Sequence, residues 1–216
     1  MIFCYKISMI RNIIFDWSGV IVDDLVAVHK TTMLLFKELG AQEISLAEFK
    51  KEWEQPYMLF YNKYNIQIRR EEEQAMFRLL YRSVSSEYPS KTHFSIKDTL
   101  ERFKKSGIKM IVISSSLVEN IEEEIERFGL HGLFNEINGD IHDKAEVIHE
   151  TIERNNFNPE ETIFIGDTTH EVEAGRKANT LTATVTWGYQ GEDKLKSSNP
   201  DFIIHDLKEL ESVILS

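Results

Sequence analysis

Five short apolar runs rich in β-branched residues punctuate the chain: Ile10 to Phe15, Met110 to Ile113, Thr162 to Ile165, Thr182 to Thr186 and Phe202 to Ile204. Continuous runs of this length suit strands buried on both faces of a parallel sheet, where neither face meets water and polar alternation is lost. Helical periodicity fills the intervals. Val118, Ile121, Ile125 and Phe128 recur at helical spacing, and Gly129 follows where a helix would end. Ala145, Ile148 and Ile152 form a second stripe after Lys144, and Leu207, Leu210 and Ile214 a third. Strands alternating with helices predict a doubly wound, Rossmann-like α/β core with a parallel sheet.

The alternation breaks between Asp24 and Tyr88, where the pattern is helical throughout. Asp23 or Asp24 could cap a first helix, which Val26, Leu34, Leu35 and Leu39 make amphipathic before Gly40 ends it. Ser45 to Tyr64 reads as a second helical stretch interrupted by Pro56, and Arg70 to Glu87 as a third. The division expected is therefore a core of residues 1–22 and 89–216 with an inserted all-helical domain at 23–88.

At 216 residues, with 42% hydrophobic and 28% charged residues, the composition is that of a globular protein large enough for a core and a small insert. The net charge of -11 argues against nucleic acid or an anionic membrane surface as partner. No apolar run approaches the roughly 20 residues of a membrane-spanning helix. Cys4 has no second cysteine to pair with, which fits a cytoplasmic location. Residues 1–8 lack the features of a secretory leader and read as an extension, with Met9 as an alternative start. The oligomeric state is not legible.

The first apolar run continues as Ile13-Ile14-Phe15-Asp16-Trp17-Ser18-Gly19-Val20. Aspartate disfavours strands, so Asp16 marks a strand's carboxyl end as a reaction site; the alternative is a turn cap. Three more segments follow in an order that makes chemical sense. Ile108 to Ile113 leads into Ser114-Ser115-Ser116, Lys144 opens a periodic helix after Gly139-Asp140, and Thr162 to Ile165 leads into Gly166-Asp167-Thr168-Thr169-His170-Glu171. Taken singly, Ser114 to Ser116 could cap the next helix and Lys144 could be a solvated surface residue.

Together these segments resemble the haloacid dehalogenase superfamily, over nearly the whole chain from about Arg11. Its motifs are a nucleophilic aspartate in DxDGT/V, a strand-end Ser/Thr, a lysine, and an acidic pair such as GDxxxD. Asp16, Ser114, Lys144 and Asp167 with Glu171 match them in order. The resemblance implies a C1-type helical cap closing over the active site, as in phosphoglycolate phosphatase-like members. It also implies hydrolysis of a small phosphorylated metabolite through an aspartyl phosphate on Asp16, regenerated by water. Mg2+ would be held by Asp16, the main-chain carbonyl of Ser18, and Asp167. Glu171, four residues on and on the same side if the segment is helical, would bind the metal or its water. Ser18, Gly19, Ser114, the Ser115 amide at a helix start, and Lys144 would receive the phosphate.

One position departs from the pattern. Ordinary phosphatases of the family place a second aspartate two residues after the nucleophile, as acid and base; here it is Ser18. Serine has no protonation cycle near neutral pH, and that catalysis is typically worth about 10²- to 10⁴-fold. A slow phosphatase, or a silent phosphate-binding protein, is the expected consequence. Asp16-Trp17-Ser18-Gly19 also resembles the DWAG of phosphonoacetaldehyde hydrolases, which cleave a C–P bond with a cap lysine; Lys50, Lys51 and Lys63 are the candidates. Glu54 or Tyr57 could replace the missing acid and base. Trp53, Tyr57, Phe60 and Tyr64 have the spacing of a small aromatic core, with substrate contact as the alternative. The seven histidines form no zinc signature. His170 reads as an exposed helix residue, with contact to substrate or metal as the alternative.

Overall fold

The first strand, β1 (Asn12–Phe15), is buried along its whole length. The computed structural model describes residues 9–141 and 143–216, so the N-terminal extension with Cys4 lies outside the described residues. Next come β2 (Val22–Asp23), the helices α1 (Leu25–Glu38), α2 (Leu46–Glu52), α3 (Met58–Lys63) and α4 (Arg70–Glu87), then β3 (Lys91–Thr92). The remainder alternates: α5 (Ile96–Lys105), β4 (Lys109–Ile113), α6 (Val118–Phe128), β5 (Glu136–Asn138), α7 (Lys144–Asn155), β6 (Thr162–Gly166), α8 (Thr169–Lys177), β7 (Leu181–Val185), α9 (Glu192–Ser197), β8 (Phe202–Ile204) and α10 (Leu207–Leu215).

The main sheet has six strands in the order β5-β4-β1-β6-β7-β8, and every pairing is parallel. Side chains alternate between its two faces, and both are covered. Ile13, Phe15, Met110, Val112, Ile163 and Ile165 pack with residues of α5, α6 and α10. Ile14, Ile111, Ile113 and Phe164 pack on the other face with Ile148 and Ile152 of α7 and Ala174 of α8. The expected doubly wound core is the observed one. Gly129 ends α6 in the left-handed conformation, at φ 64°.

Helices α1 to α4 enclose a third apolar cluster, with Leu35, Phe36, Phe49, Phe60 and Tyr61 at its centre. Pro56 does interrupt the second stretch: α2 ends at Glu52 and α3 begins at Met58. Trp53 and Phe60 are buried in this cluster, and Tyr57 and Tyr64 pack against it. Chain entry and exit are tied together by β2 and β3, an antiparallel ribbon pairing Val22 with Thr92 and Asp23 with Lys91. Neither that ribbon nor β5 has an apolar run to announce it; the residues of β5, at the sheet edge, are only half-buried. No helix among the described residues is long and apolar enough to cross a membrane.

Candidate active site

Register assembles the site. Phe15 is level with Val112 of β4 and with Ile165 of β6, so Asp16, Ser114 and Asp167 all emerge at the carboxyl edge of three adjacent strands. Lys144 reaches the same edge from the first turn of α7. It is 1% exposed, which rules out the solvated alternative. Its ammonium lies 2.8 Å from Asp16 Oδ2 and 2.9 Å from Glu171 Oε1. Asp16, Asp167 and Glu171 are buried, with carboxylate oxygens within 4.8 Å of one another.

Asp167 precedes α8, so its approach to Glu171 does not come from helical spacing as anticipated. Glu171 is instead the third residue of a capping box, accepting hydrogen bonds from the Thr168 amide at 2.8 Å and from the Thr168 hydroxyl. Ser114 is buried, and its hydroxyl accepts from the Ser116 amide at 3.2 Å. Helix α6 begins only at Val118, with Leu117 at its N-cap, so Ser115 lies in the preceding loop rather than at a helix start. Ser18 stands at the mouth, its hydroxyl 3.3 Å from that of Ser116. Glycines make the close packing tolerable. A Cβ on Gly19, at φ +78°, would fall 2.0 Å from Asp167 Oδ2, and one on Gly188 would fall 2.1 Å from the same atom.

Burial raises the Asp16 carboxyl above its ordinary value, against the pull of Lys144. Burial, then Glu171 and Asp16, raise Asp167 well above its own. Burial works against the charge on Lys144, but Asp16 and Glu171 outweigh it and the ammonium is held above its usual value. Burial likewise opposes charge on Glu171, yet Lys144 and Thr168 bring it below the ordinary range. One ammonium thus serves three buried carboxyl groups. Hard oxygen donors so arranged suit a small divalent cation.

Residues 13–185 match the haloacid dehalogenase-like hydrolase family. The chain belongs to it. Among other members of these hydrolases, the phosphoglycolate phosphatase of Aquifex aeolicus is 31% identical over 199 residues, covering 90% of this chain and 92% of that protein. Pyrophosphatase PpaX of Oceanobacillus iheyensis is 26% identical over 211 residues, covering 95% and 97%. The crystal structure of a predicted phosphatase from Clostridium acetobutylicum shares the hydrolase fold with a TM-score of 0.79 at 23% identity, covering 96% of this chain and 99% of that one.

Several residues around this hydrolase site were not foreseen. Of the two cap candidates, Asp23 and Asp24, it is Asp24 that takes the N-cap position of α1, yet its side chain makes no capping bond. Its carboxyl instead accepts a hydrogen bond from Tyr189 Oη at 2.9 Å, with Ser18 close by. Burial pushes this carboxyl up to about 7. The Tyr189 amide donates to Asp167 Oδ2 at 2.6 Å. Gln190 accepts from the Thr169 amide at 2.8 Å and donates to the Trp53 carbonyl at 2.9 Å, tying the helical segment to the strand edge. No local motif announces these contacts across the sequence.

The other candidates are placed elsewhere. Glu54 pairs with Lys63 at 2.7 Å, which holds its carboxyl below the usual range. Tyr57 lines a cleft between the helical segment and the core, its hydroxyl pushed by burial up to about 12. His170 is half-buried and lines the same cleft, while Lys50, Lys51 and Lys63 do not. Among the described residues, only carboxylates form a group suited to a metal.

Proposed function

We propose that this hydrolase is a magnesium-dependent phosphatase of small phosphorylated metabolites, with Asp16 as nucleophile. The observation that carries the reading is the burial of Lys144 between Asp16 and Glu171 beside Asp167, an arrangement built to hold an anion and a cation together. Relatives named phosphoglycolate phosphatase and pyrophosphatase support it.

Asp16, Asp167 and the Ser18 carbonyl would hold Mg2+. When bound, it supplies positive charge to the phosphate oxygens and the developing transition state. Glu171, whose two oxygens are engaged by Lys144 and Thr168, acts as the positioning residue for the ammonium. Asp16 attacks phosphorus, the ester P–O bond breaks with its electron pair on the departing oxygen, and water later cleaves the aspartyl phosphate. Lys144 neutralises charge on the entering phosphate, and Ser114 with the Ser115 amide supplies donors. Residues 23–88 form the cap that excludes bulk water. Ser18 leaves the departing oxygen without a carboxylic acid in contact, so good leaving groups are turned over best. The Asp24 carboxyl lies close to Ser18.

The test is phosphate release from a panel of phosphorylated metabolites with Mg2+, comparing the native chain with Asp16→Asn. Release that needs the metal and vanishes in the variant is the expected result. Tight binding without release would instead assign a phosphate-binding role. A borohydride-trapped lysine adduct with phosphonoacetaldehyde would assign C–P cleavage.

A further inference from the structure

Trp17 follows Asp16 directly and is fully buried. Its backbone serves both neighbours. The amide donates to Asp16 Oδ1 at 2.7 Å, while Lys144 holds Oδ2. The carbonyl accepts from the Ile21 amide at 2.9 Å and the Val22 amide at 3.1 Å, closing the turn that leads into β2. A shift of Trp17 therefore displaces the Asp16 carboxylate, and misplacing a reacting group by about 1 Å can cost about 10²-fold.

The indole packs edge-on against Phe134, and its Nε1 donates to Glu124 Oε2 at 2.6 Å. Glu124 belongs to α6, which Ile121 and Ile125 bury against the sheet. Its other oxygen accepts from the Ser90 hydroxyl and from Arg127, the latter at 3.1 Å. Arg127 also donates to the Ser90 hydroxyl. Ser90 is buried and lies between α4 and β3, on the return from the helical segment to the core. Hydrogen bonds to a carboxylate are short and strong, so the indole is held in direction as well as place. A buried phenylalanine at position 17 would need no acceptor at all. The carboxylate thus joins the residue beside the nucleophile to the connection that leaves the helical segment.

We infer that Glu124 is a positioning residue for the nucleophile, setting Asp16 through the Trp17 indole and anchoring that setting at Ser90 and Arg127. The inference rests on the phosphatase reading for the step it serves, the attack of Asp16 on phosphorus. A residue that only stabilised the fold would be felt in the unfolding midpoint. A positioning residue is felt in kcat of the folded protein.

The experiment uses the full chain with Mg2+ and p-nitrophenyl phosphate. Trp17→Phe and Glu124→Leu should each lower kcat about tenfold or more, with KM moved less than about twofold. Glu124→Gln, whose amide oxygen can still accept from the indole, should recover most of that loss. The Trp17→Phe/Glu124→Leu double variant should be no slower than the slower single, because both cut one link. Circular dichroism selects the folded variants, and Trp17→Phe, which loses only the donor, carries the test where Glu124→Leu unfolds. Beryllium fluoride, which coordinates a carboxylate oxygen as an acyl-phosphate mimic, gives a second readout by fluorine NMR. Its binding should vanish in Asp16→Asn and weaken in Trp17→Phe and Glu124→Leu. Values of kcat and beryllium fluoride affinity within about twofold of native in both single variants, or losses that multiply in the double, overturn the inference. So does a Glu124→Gln protein as slow as Glu124→Leu. Beryllium fluoride on Asp16 of a native chain that releases no phosphate would overturn the phosphatase reading, and the variants' affinities would then decide the positioning role by themselves. Absence of both release and binding would remove Asp16 as nucleophile and the positioning role with it.

Discussion

The Lys144 ammonium lies 2.8 Å from the Asp16 carboxylate, and both side chains are almost wholly buried. Removing the ammonium would leave Asp16, Asp167 and Glu171 facing one another without a protein cation. Breaking a buried pair of this kind typically costs about 3–5 kcal/mol. Lys144→Met should therefore lower the urea midpoint substantially, and Mg2+ should restore more stability to the variant than to the native chain. Equal midpoints without metal would show that the carboxylates do not depend on the lysine.

Gly188 offers a steric test of Asp167. An added Cβ would overlap Asp167 Oδ2 at 2.1 Å and its Cβ at 2.3 Å. Misplacing a catalytic group by about 1 Å can cost about 10²-fold. Gly188→Ala should fold, as read by circular dichroism, yet lose Mg2+-dependent phosphate release by roughly that factor. Undiminished release would separate Asp167 from the chemistry.

Restoring the carboxyl at position 18 should raise turnover. Ser18→Asp is expected to increase kcat on substrates with poor leaving groups by about 10²-fold or more, with less effect on p-nitrophenyl phosphate. Asp24→Asn in the native background should reduce kcat on the same substrates, since its carboxyl lies close to Ser18. The leaving-group dependence separates a role in proton transfer from general damage.

Gln190 connects the helical segment to the strand edge through Thr169 and Trp53. Lys194 also donates to the Trp53 carbonyl, so Gln190→Leu chiefly strands the Thr169 amide. The expected cost is about 1–3 kcal/mol, read by urea denaturation. A KM change larger than the kcat change would show that the tie serves substrate capture.

His93 gives stability a pH dependence of known sign. Burial lowers its imidazole below the ordinary value, opposed by Asp23, and its ring lies 5.5 Å from that of Trp187. The unfolded chain takes up the proton first, near the usual pKa of about 6.5. This stability is full above that value and falls as pH drops through it toward the folded value. Between about pH 8 and 5.5 the native chain should lose more stability than His93→Gln; parallel losses would refute the assignment.

Much of the core was legible because burial on both sheet faces writes itself as continuous apolar runs. Ile13-Ile14-Phe15 and Thr162 to Ile165 became β1 and β6 within a residue or two, and the helical stripes became α6, α7 and α10. Strand β5 escaped because a half-buried edge strand of three residues carries no such signal. The ribbon of β2 and β3 escaped because its two-residue strands are shorter than any period. At the site, Asp16, Ser114, Lys144, Asp167 and Glu171 were found as a sequence order, which says that they belong together but not how.

The sequence by itself determined the doubly wound core, the helical insertion and the residues that converge, because periodicity and motif order are local properties of the chain. Only the tertiary structure decided that Glu171, set in a capping box, holds Lys144, and that the Asp24 side chain meets Tyr189 instead of capping α1. These contacts join residues from separate helices and loops, and no short-range pattern encodes the register and packing that bring them together.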